Sequence, residues 1–232
     1  AEEMLSEEDG KRKKLYAASK NKDPILQILK PRIETLLVTD ERTIQPIHVL
    51  EVASGTGEHA SYFLENISSP HLVYQCTEYD ESMTESITAW IEETRKNTTS
   101  KLLNPIIPLD ISNWQQHIPQ ISFPASTIDA MICINMIHIS PWICTVHLFS
   151  FASHYLRDSN SFLLTYGPYS VNGEMVESNH AFDRSLKERN VLWGVRDVEE
   201  IKKVAAEVGI ILHEMIPMPS NNYCLIWKKR SS

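Results

Sequence analysis

The chain has few cysteines, four in 232 residues, and no two of them form a C-x-x-C pair. Cys76, Cys133, Cys144 and Cys224 are widely separated and three lie in apolar, strand-like surroundings. They read as reduced core thiols, not as a disulfide framework or a thiolate metal site. Positive charge is also in short supply: 22 Lys and Arg against 30 Asp and Glu leave a net charge of -8. A phosphate-neutralising surface needs the opposite balance, so no nucleic-acid partner is expected. No apolar run approaches membrane-spanning length, and the charged stretch from Glu2 to Lys14 lacks the apolar segment of a secretory signal. A membrane partner is therefore not expected, and a cytoplasmic location is, with the nucleus left open. No His-x-x-x-His or dense carboxylate cluster occurs, and no metal is expected.

What is present is an ordinary globular composition, 42% hydrophobic and 22% charged, in a length that suits one sizeable core. Residues 1–14 read as a mobile tail and 15–232 as a single domain. Strand and helix signals alternate along that domain, which points to a parallel sheet covered on both faces. Asp23-Pro24 is a helix start, with Ile25, Ile28, Leu29, Ile33, Leu36 and Leu37 on one face and Pro31 as an interruption. Strands are expected at 47–53, 71–78, 104–110, 128–135 and 161–166. Helices are expected at 57–66, from Asp80 to about 95, at 141–156, and from Asp197 to Gly209. Residues 210–218 and 222–229 are joined by too few residues for a helical crossover, so they must run antiparallel.

Residues 51–60 read EVASGTGEHA directly after the apolar run Ile47 to Leu50. A buried strand feeding a glycine turn and a helix is a ligand-cradling element, because glycine takes positive φ and lets a ligand approach the backbone. Ala53, Ser54, Gly55, Thr56 and Gly57 would line that approach. The same residues satisfy the loose G-x-G-x-x-G/A pattern of dinucleotide enzymes. Glu51 tips the balance. An acid at the strand end suits a ligand carrying an ammonium group, as S-adenosylmethionine does, and that ligand has no pyrophosphate for the helix to hold. Tyr16-Ala17-Ala18-Ser19-Lys20 imitates the Y-x-x-x-K pair of short-chain dehydrogenases, but it precedes the first strand of the sheet where that pair should follow the glycine turn.

In such sheets ligands sit beyond the carboxyl ends of the strands. Glu78, ending the second strand, is placed to accept from both ribose hydroxyls, with a solvated turn carboxylate as the alternative. Asp110 and the adjoining Ile111 fall where an adenine amino group would be read, with capping of the next turn equally open to Asp110. Asn135 and Met136 follow the fourth strand at the cofactor's methionine end. His138 is sited to act as a base, against the commoner structural role of a lone histidine. Tyr166 and Tyr169 end the fifth strand and could face a sulfonium or simply pack. Tyr16 and Asn21 would belong to an N-terminal lid. The polar stretch 170–194 would shape the acceptor site, with Asn179, Asp183, Trp193 and Arg196 as candidates for substrate contact or loop ordering.

Several blocks go beyond a fold pattern. Asn21 to Leu26 (NKDPIL), Leu50 to Gly57 (LEVASGTG), Cys133 to Pro141 (CINMIHISP), Tyr166 to Tyr169 (YGPY), Trp193 to Asp197 (WGVRD) and Met218 to Asn222 (MPSNN) occur in this order. Together they resemble a methyltransferase-like family formerly known as a domain of unknown function, of the methyltransferase-like 26 type, over nearly all of 16–229. Three positions depart from its pattern: Glu58 replaces glutamine, Glu78 replaces aspartate, and Lys20 replaces arginine. The resemblance implies an α/β, Rossmann-like class I methyltransferase fold: a seven-stranded sheet with an antiparallel last strand and helices on both faces. It also implies methyl transfer from S-adenosylmethionine, leaving S-adenosylhomocysteine, to an O, N or S nucleophile of a small-molecule acceptor. A non-catalytic S-adenosylmethionine-binding module and an NAD(P)-dependent oxidoreductase remain the alternatives.

Overall fold

The computed structural model describes residues 5–38 and 45–231. It begins with a two-stranded hairpin, β1 (Leu5–Asp9) and β2 (Arg12–Leu15), where the sequence suggests a mobile tail. Gly10, at φ 62, supplies the left-handed turn. The hairpin docks on a later helix, α3: Lys13 N donates to Ser86 Oγ at 2.9 Å, and Trp90 Nε1 donates to the Lys13 carbonyl at 3.1 Å. Residues 1–4 of the expected tail lie outside the described residues.

Helix α1 (Tyr16–Val38) starts well before the expected Asp23-Pro24 cap and runs through both Pro24 and Pro31. Burial overrides the local signals, because Ala18 and Asn21 extend the buried stripe of Ile25, Leu26, Leu29 and Ile33 upstream. There follow β3 (Ile47–Val52), α2 (Glu58–Asn66), β4 (Leu72–Cys76) and α3 (Thr84–Thr94). Asp80 caps the turn before α3 by accepting from Ser82 N.

The expected strand over 104–110 is not regular. β5 is confined to Lys101–Leu102, beside Val73 and Tyr74, and downstream only Ile107 bridges back to Thr77. Pro105 and Pro108 lack the amides that would continue the ladder. A 3-10 segment at Ile111–Gln120 precedes β6 (Ala130–Ile134), α4 (Trp142–Tyr155) and β7 (Phe162–Gly167). The polar stretch holds α5 (Glu177–Arg189) between the short paired strands β8 (Tyr169–Ser170) and β9 (Arg196–Asp197). Helix α6 (Val198–Glu207) and the hairpin β10 (Ile210–Met218) and β11 (Asn222–Lys229) close the fold.

The seven-stranded sheet runs β10-β11-β7-β6-β3-β4-β5. Its strands pair in parallel from β5 to β7, and β11 inserts antiparallel beside β7. One face packs on α1, α2 and α3 through Ile25, Leu29, Phe63 and Ile87. The other packs on α4, α6 and the 3-10 segment through Phe149, Phe151, Ile201 and Trp114. At the entry to β6, Asp129 accepts from His48 N and pairs with Arg157 at 2.7 Å, which compensates a buried charge. All four cysteines are free thiols, three of them buried. Among the described residues no helix is long and apolar enough to cross a membrane.

Candidate active site

The carboxyl ends of β3, β4 and β6 converge where β3 gives way to its glycine turn. Three residues there hold left-handed backbone: Ala53 at φ 57, Gly55 at φ 59 and Gly57 at φ 92. Ser54 anchors the turn, its amide donating to the Thr77 carbonyl at 2.8 Å while its hydroxyl accepts from Thr77 N at 3.2 Å. The two glycines have different neighbours. A Cβ on Gly55 would meet nothing within 4 Å, whereas one on Gly57 would lie 2.9 Å from Ile87 Cα and 3.3 Å from Trp90 Cβ. Gly57 is therefore a packing glycine between α2 and α3, not a surface of ligand approach as its sequence motif suggests.

In front of Gly55 opens a cavity of about 570 Å³, within the range of small-ligand sites. Of the residues expected to hold a cofactor, it brings together Ala53, Ser54, Gly55, Thr56, Glu78, Asp110, Ile111, Asn135 and Met136. Trp193 also reaches its wall. Glu78 Oε2 accepts from Gly55 N at 2.6 Å and Oε1 from Asp80 N at 3.0 Å. Burial pushes its carboxyl up, against those backbone donors. Each oxygen keeps a lone pair for a further donor. Asp110 caps the following 3-10 turn through Ser112 and Asn113; burial opposes its ionisation, but those hydrogen bonds hold it below its ordinary value. Asn135, at φ 56, donates its amide to the Tyr166 carbonyl at 2.9 Å.

Other expected site residues lie elsewhere. Glu51 is 2% exposed and absent from the cavity wall. Its Oε2 accepts from Tyr74 Oη at 2.8 Å, while Oε1 has no hydrogen-bond partner. Burial raises its carboxyl to about 7, partly offset by the nearby Ser54 and Tyr74 hydroxyls. The side chain packs with Tyr74 on the sheet face that carries α1, α2 and α3, away from the cavity wall.

His138 is likewise buried and off the wall, its ring facing Phe182 and Gly167. Burial and then Arg196 push it down to about 4, which makes it a poor base where it stands. Tyr169 is enclosed in the core with an unpartnered hydroxyl, pushed up by burial. Tyr16 is 56% exposed, with Lys20 Nζ over its ring at 4.1 Å, and so belongs to the outer face of α1. From this segment the cavity wall takes Leu15, Ala17 and Ala18 instead.

Asn179, Asp183 and Arg196 order loops. Asn179 Nδ2 donates to the Asn221 carbonyl. Asp183 accepts from Val195 N at 2.8 Å and Lys187 Nζ at 2.6 Å. Arg196 Nη2 donates to the Ser140 and Leu192 carbonyls. Tyr166 is buried beside the cavity, accepting from Asn222 Nδ2 at 3.0 Å. Among the wall residues that escaped the sequence reading are Tyr79 and His59. Tyr79 is 69% exposed beside Glu78, and its signal was an aromatic directly after a strand-end acid. His59 follows the glycine turn by two residues, where only the helix periodicity could have turned it inward. Glu58, the departure from the family pattern, is buried against α1, accepting from Lys22 Nζ at 3.0 Å and Ser19 Oγ at 2.9 Å.

Residues 12–229 match the family described as "Protein of unknown function (DUF938)". The chain belongs to the DUF938 family. This DUF938 protein is also similar in structure to several methyltransferases. One is the DszA carbon methyltransferase, with a TM-score of 0.66, 16% identity, and coverage of 94% of this chain and 55% of that one. A second is an O-methyltransferase family protein from Burkholderia thailandensis, at 0.64 and 11%, covering 93% and 60%. A third is a putative sarcosine dimethylglycine methyltransferase from Galdieria sulphuraria, at 0.62 and 11%, covering 94% and 89%. The DUF938 chain thus spans little more than half the length of the first two. At these identities the likeness establishes a class I methyltransferase-like fold. Among the described residues of the DUF938 protein, no group of three or more His, Cys, Asp or Glu side chains is gathered to hold a metal ion.

Proposed function

We propose that this DUF938 protein binds S-adenosylmethionine in the cavity before Gly55 and transfers its methyl group to an O, N or S nucleophile of a small acceptor. The observation that carries the reading is the cavity itself: open backbone at Gly55, a strand-end carboxylate at Glu78, and Asp110 with Ile111 on the same wall. These residues fit the cofactor. Glu78 retains lone pairs for ribose hydroxyls, Asp110 and Ile111 would border the base, and Asn135 and Met136 would border the methionine end. The bound cofactor would supply a methyl group already activated by the sulfonium charge. The protein's own contribution is then to orient the nucleophile, to exclude water under Leu15, Ala17 and Ala18, and to hold Trp193 at the wall. The earlier resemblance to the methyltransferase-like 26 type belongs to this proposal and agrees with it.

The second reading, a cofactor-binding module without turnover, has one observation in its favour: His138, the expected base, does not reach the wall. Calorimetric titration with S-adenosylmethionine, S-adenosylhomocysteine, NAD and NADP tests the cofactor. Methyl-labelled S-adenosylmethionine incubated with a metabolite extract tests the transfer. Binding with label transferred to a small molecule is expected. Nicotinamide binding alone would overturn the proposal, and binding without transfer to any fraction would favour the module.

A further inference from the structure

The imidazole on the cavity wall is that of His59, the second residue of α2. Its Nε2 lies 2.6 Å from Asn21 Oδ1, an acceptor, so the ring proton sits on Nε2 and Nδ1 keeps its lone pair. Asn21 is itself held in place. It is buried on α1, and its amide meets the Tyr166 hydroxyl, which also accepts from Asn222 Nδ2 at 3.0 Å. Residues of α1, β7 and β11 therefore set the tautomer of a residue on α2. Burial and then Lys22 push the imidazole down to about 4, so it is neutral near pH 7. The Lys22 charge is itself compensated by Glu58 at 3.0 Å. Nδ1 has no hydrogen-bond partner among the described residues and is not one of the buried, unpartnered atoms.

A neutral ring that offers a lone pair suits a cationic donor and repels a carboxylate. Glu51, the sequence's candidate for the ammonium, is turned to Tyr74 beneath the sheet end. We propose that His59 accepts, at Nδ1, a hydrogen bond from the ammonium group of the cofactor's amino-acid moiety, and that Asn21 is the positioning residue that presents that lone pair. This inference rests on the S-adenosylmethionine reading of the cavity.

The test is calorimetric titration of wild type, H59F, H59N and N21A with two probes: S-adenosylhomocysteine, and 5′-methylthioadenosine, which keeps the nucleoside thioether and lacks the amino-acid end. A hydrogen bond to a charged group is worth enough that H59F should weaken S-adenosylhomocysteine by about tenfold or more. Affinity for 5′-methylthioadenosine should stay within about twofold. H59N, whose amide oxygen can stand in for Nδ1, should recover part of the loss, and it carries the test if H59F folds poorly. N21A should act in the same direction as H59F and less strongly. Equal losses for both ligands in H59F and H59N, or no loss for S-adenosylhomocysteine in either, would overturn the inference while leaving the cofactor reading intact. Failure of wild type to bind either probe would remove both.

Discussion

Gly55 and Gly57 stand two residues apart and answer to different constraints. The first opens on the cavity, and the second lets α2 and α3 touch. G57A forces a methyl to 2.9 Å from Ile87 Cα at φ 92, and its expected cost is about 2–4 kcal/mol, read as a lowered urea midpoint. G55A meets no atom but occupies left-handed backbone, so a smaller loss of about 1–2 kcal/mol is expected. Its larger effect should appear in calorimetry, as weakened S-adenosylhomocysteine binding. An equal stability loss in both variants would contradict this division. Glu51 makes a second case at this scale. Its carboxyl rises from 4.5 to about 7 on folding, so the fold prefers the protonated form. The stabilisation is complete below pH 4.5 and is lost as pH rises through 7. E51Q keeps the neutral form at every pH. Its stability relative to wild type should therefore be near zero at pH 4.5 and grow to about 3 kcal/mol by pH 8, from urea titrations at both values.

At the level of elements, the loop 190–196 is tied down from two sides. Asp183 of α5 holds Val195 N, and Arg196 holds the Ser140 and Leu192 carbonyls. The Gly194 amide also donates to the His138 carbonyl at 3.0 Å. These bonds position Trp193 on the cavity wall, and Arg189 stacks over its ring at 5.2 Å. D183A leaves the half-buried Val195 amide without its acceptor, an expected cost of about 1 kcal/mol or a little more. Limited trypsin digestion followed by mass spectrometry should show faster cleavage after Lys187 and Arg189, and an unchanged cleavage rate would show that the Arg196 and Gly194 bonds hold the loop without Asp183. The His138 carbonyl thus also serves as an acceptor for this loop.

At the scale of the whole molecule, two cores on opposite faces of one sheet share strands β3, β4, β6 and β7, and the cavity lies at the end of that shared layer. Ligand binding there should stabilise the fold as a unit. S-adenosylhomocysteine at about 100 times its Kd should add roughly 2.7 kcal/mol, a melting shift of about 5–10 °C for a chain of this size. No shift at saturating ligand would count against the cofactor reading. Most of this layer was legible in the chain order of residues. The glycine turn, the capping residues Asp80 and Asp197, and the short final connection are local signals, and each produced the expected element. The misreadings share a cause. The early start of α1 and its passage through Pro24 and Pro31 depend on packing against α2 and the sheet, and β5 ends at Leu102 because prolines interrupt a ladder whose partner is distant in sequence.

Sequence alone determined most strands of the central sheet, the antiparallel course of the last, and the strand, glycine turn and helix over residues 47–66, because these follow from periodicity, turn chemistry and connection length. Tertiary structure decided which side chains of those elements face the cavity. Glu51 and His138 turn into the interior, while His59 and Tyr79 reach the wall. A side chain's direction at a strand end or a first helical turn depends on the neighbouring elements packed against it, and here those neighbours are α1 for His59, Tyr74 for Glu51 and α5 for His138.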